Sequence, residues 1–118
     1  MGMYTEILIR VNLDKRLLTE DVNPVIDYLF GEGLEPEQLP DHDFFKCRRW
    51  RHLAGGVVWD AVGKLISIRE FKNYNGEAKK FFNWIGPYLD NYKGECIGYT
   101  WFELDAQPNL YYQVHGDL

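Results

Sequence analysis

At 118 residues, with 46% hydrophobic and 26% charged side chains, the chain is long enough for one hydrophobic core. No run approaches the roughly 18 apolar residues of a membrane-spanning helix, and no charged region followed by an apolar stretch opens the chain, so neither a span nor a signal peptide is read from it. The net charge of −5 argues against generic DNA binding, which draws on a basic footprint.

The charge is blocked along the chain. Residues 1–45 carry ten acids and three bases, residues 46–93 ten bases and four acids, and residues 94–118 four acids and no base. Such blocks can pair within one chain or meet opposite blocks on a second copy. Aromatic residues reach 16%, a content that fills cores and also favours interfaces. Cys47 and Cys96 lack metal-like spacing and read as reduced thiols of a cytosolic protein. Gly2 is followed by Glu6 where a myristoylation signal wants Ser or Thr, so Met3 is taken as the natural start, with a single domain over 3–118.

Tyr4 to Leu13 alternates, with Ile7, Ile9, Val11 and Leu13 on one face and Glu6, Arg10 and Asn12 on the other. This predicts a half-buried strand whose polar face is interrupted by Leu8. Val22, Val25, Ile26, Leu29 and Phe30 then follow helical spacing within 20–31. The helix starts at Glu20, or Asn23 is its N-cap with Pro24 in the first turn, and Gly31 or Gly33 ends it. Residues 34–45 are acidic, hold Pro36 and Pro40 and lack periodicity, which predicts a loop. Strands are expected near 48–54 and 56–61, with Gly55-Gly56 as a tight turn or bulge.

Residues 64–72 are rich in strand formers, and Asn73-Tyr-Asn-Gly breaks them. Ala78, Phe81, Phe82, Ile85, Tyr88 and Leu89 form one apolar stripe, which predicts a helix over 77–90 lying on a sheet. Each large apolar residue of that stripe contributes roughly 1.5–3 kcal/mol if fully buried. Cys96 to Leu104 reads as an aromatic strand with Ile97, Tyr99 and Trp101 on one face and Thr100, Phe102 and Leu104 on the other. Leu110 to His115 pairs back after a turn at 105–109. The fold class is α+β in the order β-α-β-β-β-α-β-β, a mostly antiparallel sheet with two helices on one face.

No catalytic motif of any specificity stands out. The densest cationic segment is Lys46 with Arg48, Arg49, Trp50, Arg51 and His52. As a strand it would pair Arg49 with Arg51 on one face and Arg48 with Trp50 on the other. Guanidinium forks beside an aromatic ring can hold a phosphate or carboxylate, with Trp50 stacking a base. The plainer reading pairs these arginines with the acids of 32–43. A second region, Trp59, Tyr99, Trp101, Tyr111 and Tyr112, has the composition of an interface. A homodimer through the sheet face that the helices leave bare would account for it.

Weaker patterns are present too. His42, Cys47 and His52 are zinc-ligand types at the wrong spacing, and His42 with its flanking aspartates suits a turn after Pro40. Cys47 or Cys96 with His115 could form a nucleophile pair only within hydrogen-bond reach. Glu103 and Asp105 share a strand face and read as solvated. No cofactor is implied.

Met3-Tyr-Thr-Glu, the run Leu39-Pro-Asp-His-Asp-Phe-Phe-Lys-Cys-Arg-Arg-Trp and the helix end from Trp84 to Asp90 resemble a group of small uncharacterised phage and prophage proteins. The resemblance implies a phage-encoded accessory protein in the bacterial cytoplasm, one that binds a host protein or complex, defence systems included. The first expectation is therefore a non-enzymatic binding module. A nucleotide- or phosphate-binding sponge using residues 46–52 is the alternative, and a small hydrolase comes last.

Overall fold

The structure, a computed structural model, describes residues 4–30, 33–53, 64–72 and 76–115, and the backbone alone of 58–59. Its sheet has the order β2-β3-β1-β4-β5, with every neighbouring pair antiparallel. The strands are β1 (Thr5–Asn12), β2 (Val58–Trp59), β3 (Lys64–Phe71), β4 (Cys96–Phe102) and β5 (Asn109–Tyr112). Two helices, α1 (Asn23–Leu29) and α2 (Glu77–Ile85), complete an α+β fold.

The central strand is the one with the cleanest alternation. In β1, Ile7, Ile9 and Val11 are fully buried, while Arg10 is exposed and Glu6, Leu8 and Asn12 are half-buried. That face shares one core with Val25, Ile26 and Leu29 of α1 and with Phe81, Phe82 and Ile85 of α2. The period-2 pattern of one strand and the period-3.6 patterns of two helices thus meet on the same side of the sheet.

Pro24 sits in the first turn of α1, where its missing N–H leaves no helical hydrogen bond unmade. Thr19 starts the chain turning before it: its carbonyl accepts the amides of Val22 and Asn23. Gly76 precedes α2 with φ of 69°, a left-handed conformation that costs a residue with a side chain strain. The helix expected to reach residue 90 ends at Ile85 and tightens into a 3-10 turn over Gly86–Tyr88. Pro87 lacks the amide that a continuing helix needs. Beyond it, Asp90 donates its amide to the Asn12 carbonyl at 2.7 Å, which ties the helix exit to the end of β1.

The strand expected over 48–54 is absent. Residues 43–52 instead form two 3-10 turns, Asp43–Lys46 and Trp50–His52. Phe44, Cys47, Trp50 and Leu53 are all buried, at a spacing of three that matches the 3-10 period and not the strand period. His42 opens the first turn, its Nδ1 accepting the Phe44 amide at 3.1 Å. Phe44 reaches Phe81 at 5.4 Å and Trp84 at 6.0 Å between ring centroids, and Phe45 reaches Trp84 at 4.9 Å edge-on. The segment therefore covers the side of α2 that carries Trp84. The strand expected over 56–61 is represented by β2; Gly55-Gly56 lies outside the described residues.

A bulge in β4 changes one facing assignment. Cys96 lies opposite Tyr112 and Gly98 opposite Tyr111, so Ile97 is the extra residue. Ile97 is 1% exposed and belongs to the core, not to the face of Tyr99 and Trp101.

Candidate functional site

The basic-aromatic segment is divided between core and surface. Trp50 is 1% exposed and packs against Tyr28, Phe44 and Phe45, so its ring has no open face for a base. Arg51 is held by Glu35 of the acidic loop and lies 4.9 Å over the Trp50 ring. Arg48 and His52 are exposed, and Arg49 is half-buried with a partner of its own. Residues meant to act together as a phosphate cradle are thus split between core and surface. The physical reason is the 3-10 winding, which turns Trp50 inward while Arg48 and Arg51 point out.

The aromatic set divides by strand face. Tyr111 stacks on Phe82 at 4.6 Å and belongs to the helix-covered side. Tyr99, Trp101 and Tyr112 lie on the opposite side; Trp101 is 43% and Tyr112 50% exposed. Ile68 at 58% and Leu110 at 50% join them. The Tyr99 hydroxyl donates to Glu6 Oε2 at 2.5 Å, and that bond raises the phenol above its ordinary range, with burial second. The Trp101 indole N–H donates to the Asp105 carbonyl at 3.0 Å. The side chain of Trp59 lies outside the described residues.

The cysteines and His115 are engaged separately. Cys47 Sγ contacts the Asp43 carbonyl and lies 3.8 Å from Lys80 Nζ, whereas Cys96 Sγ donates to the Gly98 carbonyl at 3.4 Å. His115 packs on Gly86: a Cβ there would come within 2.7 Å of the imidazole Cδ2. Gln113 fixes that arrangement, its side-chain amide donating to the Gly86 carbonyl and its oxygen accepting the His115 amide. Glu103 accepts the Tyr4 amide.

One feature escaped the sequence reading altogether. A cleft of about 460 Å³ opens in the helical layer, between the start of α1, the 38–42 loop and the end of α2. Asp21 and Asp41 stand on its rim with Gln38 and Asn83, and Pro40, Pro87, Trp84 and Tyr88 supply apolar wall. Trp84 and Tyr88 are 6.0 Å apart between ring centroids. The buried Trp84 indole N–H has no hydrogen-bond partner among the described residues. The signal for this cleft was in the chain as the acid excess of 1–45, but its walls come from residues more than 40 positions apart.

No described helix is long and apolar enough to cross a membrane. No family model matches the chain, no curated protein is similar to it, and no solved structure matches its fold.

Proposed function

We propose that the protein is a non-enzymatic binding module, a phage or prophage accessory protein that acts in the bacterial cytoplasm on a host protein or complex. The observation that carries this reading is the acid-rimmed, aromatic-walled cleft between α1, the 38–42 loop and α2. Its chemistry suits a basic side chain on a protein surface. A guanidinium or ammonium entering it meets the Asp21 and Asp41 carboxylates and the half-buried Tyr88 ring, so ion pairing and cation–π attraction act together. Leu39 on the rim and the exposed Leu34 nearby in sequence add apolar contact.

The acid excess of 1–45 extends the same logic. Proteins that bind nucleic acid, nucleases of host defence among them, present lysine and arginine to phosphates. An acidic surface steers toward such a region and occupies it.

The test is affinity capture from bacterial lysate at low and high salt, comparing the protein with an Asp21→Lys/Asp41→Lys double variant. Basic host proteins should be retained by the natural sequence, released by salt and missing from the variant. Retention of the same proteins by both forms would sink the assignment of the cleft, as would no retention by either.

A further inference from the structure

We propose that a second copy of this chain covers the bare face of the sheet, in a two-fold dimer whose strands run antiparallel across the interface. The inference is independent of the cleft, which belongs to the helical layer.

The strand register carries the argument. On the bare face, Leu8 of β1 lies opposite Ile68 of β3 on one side and Tyr99 of β4 on the other, and Tyr99 lies opposite Leu110 of β5. Ile68, Leu8, Tyr99 and Leu110 therefore form one row across four strands, perpendicular to them. Two residues along in one direction, the next row is Glu70, Glu6 and Trp101. Two residues along in the other direction it is Ile66 and Arg10, with Cys96 and Tyr112 beyond the bulge.

An isologous interface sets the same patch against itself. Two limiting rotations bring these faces together, and other in-plane axes lie between them. An axis along β1 stacks Glu6 on the partner's Glu6 and Arg10 on the partner's Arg10, which like charges oppose. An axis along the central row exchanges the two flanking rows. Glu6 then faces the partner's Arg10 and Arg10 faces the partner's Glu6, while Trp101 covers the partner's Cys96 and Tyr112. The central row meets its own copy as apolar and aromatic contact. The second rotation pairs Glu6 with Arg10 and keeps the apolar row against its own copy, and it sets Glu70 of the outer strand on the partner's Ile66.

The corners follow the same geometry. Lys72, which lies 5.6 Å over the Tyr4 ring, falls near the partner's Lys64 at the rim. Lys64 shares a surface hollow with Glu95, and rim charges contribute little either way. A foreign protein could cover this face without any relation between its two flanking rows. Glu6 and Arg10, two residues to either side of Leu8, give the middle of this face the complementarity to its own copy that a two-fold requires.

Sedimentation velocity over a concentration series tests the proposal, with Glu6→Lys, Arg10→Glu and the double variant. The natural sequence should dimerise. Each single variant should weaken the dimer by about tenfold or more, because the two-fold repeats the pair. The double variant restores opposite charges and should recover to within a few-fold of the natural sequence. Near-ultraviolet circular dichroism confirms that each variant is folded, and Leu110→Glu, on the central row, provides a further monomer. A protein that stays monomeric at every concentration overturns the proposal. So does a dimer indifferent to either single substitution, or one that the double variant fails to restore. Asp21→Lys/Asp41→Lys should leave the dimer intact, so failure here and failure of the cleft assignment are separable.

Discussion

The two faces of the sheet are made by alternate residues of the same strands, yet they obey different rules. The covered face is filled to contact. A Cβ at Gly98 would strike the Leu8 carbonyl oxygen and come within 2.5 Å of Phe82 Cζ, so β4 has no room there for any side chain. The bare face has the opposite composition. One residue on from Gly98 stands Tyr99, then Trp101 after Thr100, and the face carries large side chains left partly or largely exposed among the described residues. Packing limits one face and solvent tolerates the other, so substitutions of equal size should have unequal consequences.

The largest effect belongs to the core. Phe44→Ala removes a fully buried ring that meets Phe45, Trp50, Phe81 and Trp84, and should cost about 3–5 kcal/mol in denaturant unfolding. Gly98→Ala comes next, at about 1–3 kcal/mol, because β1 backbone and the Phe82 ring must both shift. A wild-type melting temperature for that variant would show that the two faces do not differ as described. On the bare face, Ile68→Thr should change stability of the isolated chain by no more than about 0.5 kcal/mol while weakening self-association.

The same contrast between core and surface appears within residues 46–52. Arg51→Ala breaks an exposed pair with Glu35 and should cost less than about 1 kcal/mol, whereas Trp50→Ala opens a cavity in the core and should cost about 3–5 kcal/mol. Equal losses would mean that the segment is not wound as the structure has it.

The smallest effect is pH-dependent. The hydrogen bond from Tyr99 to Glu6 raises the phenol in the folded state. Its stabilisation is therefore complete below the unfolded phenol value of about 10, and is lost as pH rises through the higher folded value. Alkaline unfolding curves of the natural sequence and Tyr99→Phe should converge above that range and separate below it. At the acid end the sign reverses. Arg16 beside Asp14 lowers that carboxyl, so its contribution is present above the ordinary carboxylate range and disappears as pH falls through the folded value.

Much of the fold was legible because several segments repeat one period long enough to name it. β1 alternates over eight residues with only Leu8 out of place, and α2 keeps its stripe from Ala78 to Ile85. Leu8 proved informative: it is the centre of the apolar row on the bare face. The strand expectation near 48–54 fails because arginines beside Trp50 look alternating, whereas burial of Phe44, Cys47, Trp50 and Leu53 follows the period of three of a 3-10 turn. Ile97 was misplaced because a bulge inserts one residue and exchanges the faces of a strand from that point.

The sequence by itself determined the buried faces of β1 and α1, the apolar stripe of α2 from Ala78 to Ile85, and that charge would be unevenly distributed. These properties depend on neighbours within a few residues. Tertiary structure decided the rest. Trp50 turned inward because α2 offered Phe81 and Trp84 to the segment carrying Phe44 and Phe45, and the cleft exists because α1, the 38–42 loop and α2 converge there. No local period records which distant surface a side chain will meet, and burial is settled by that meeting.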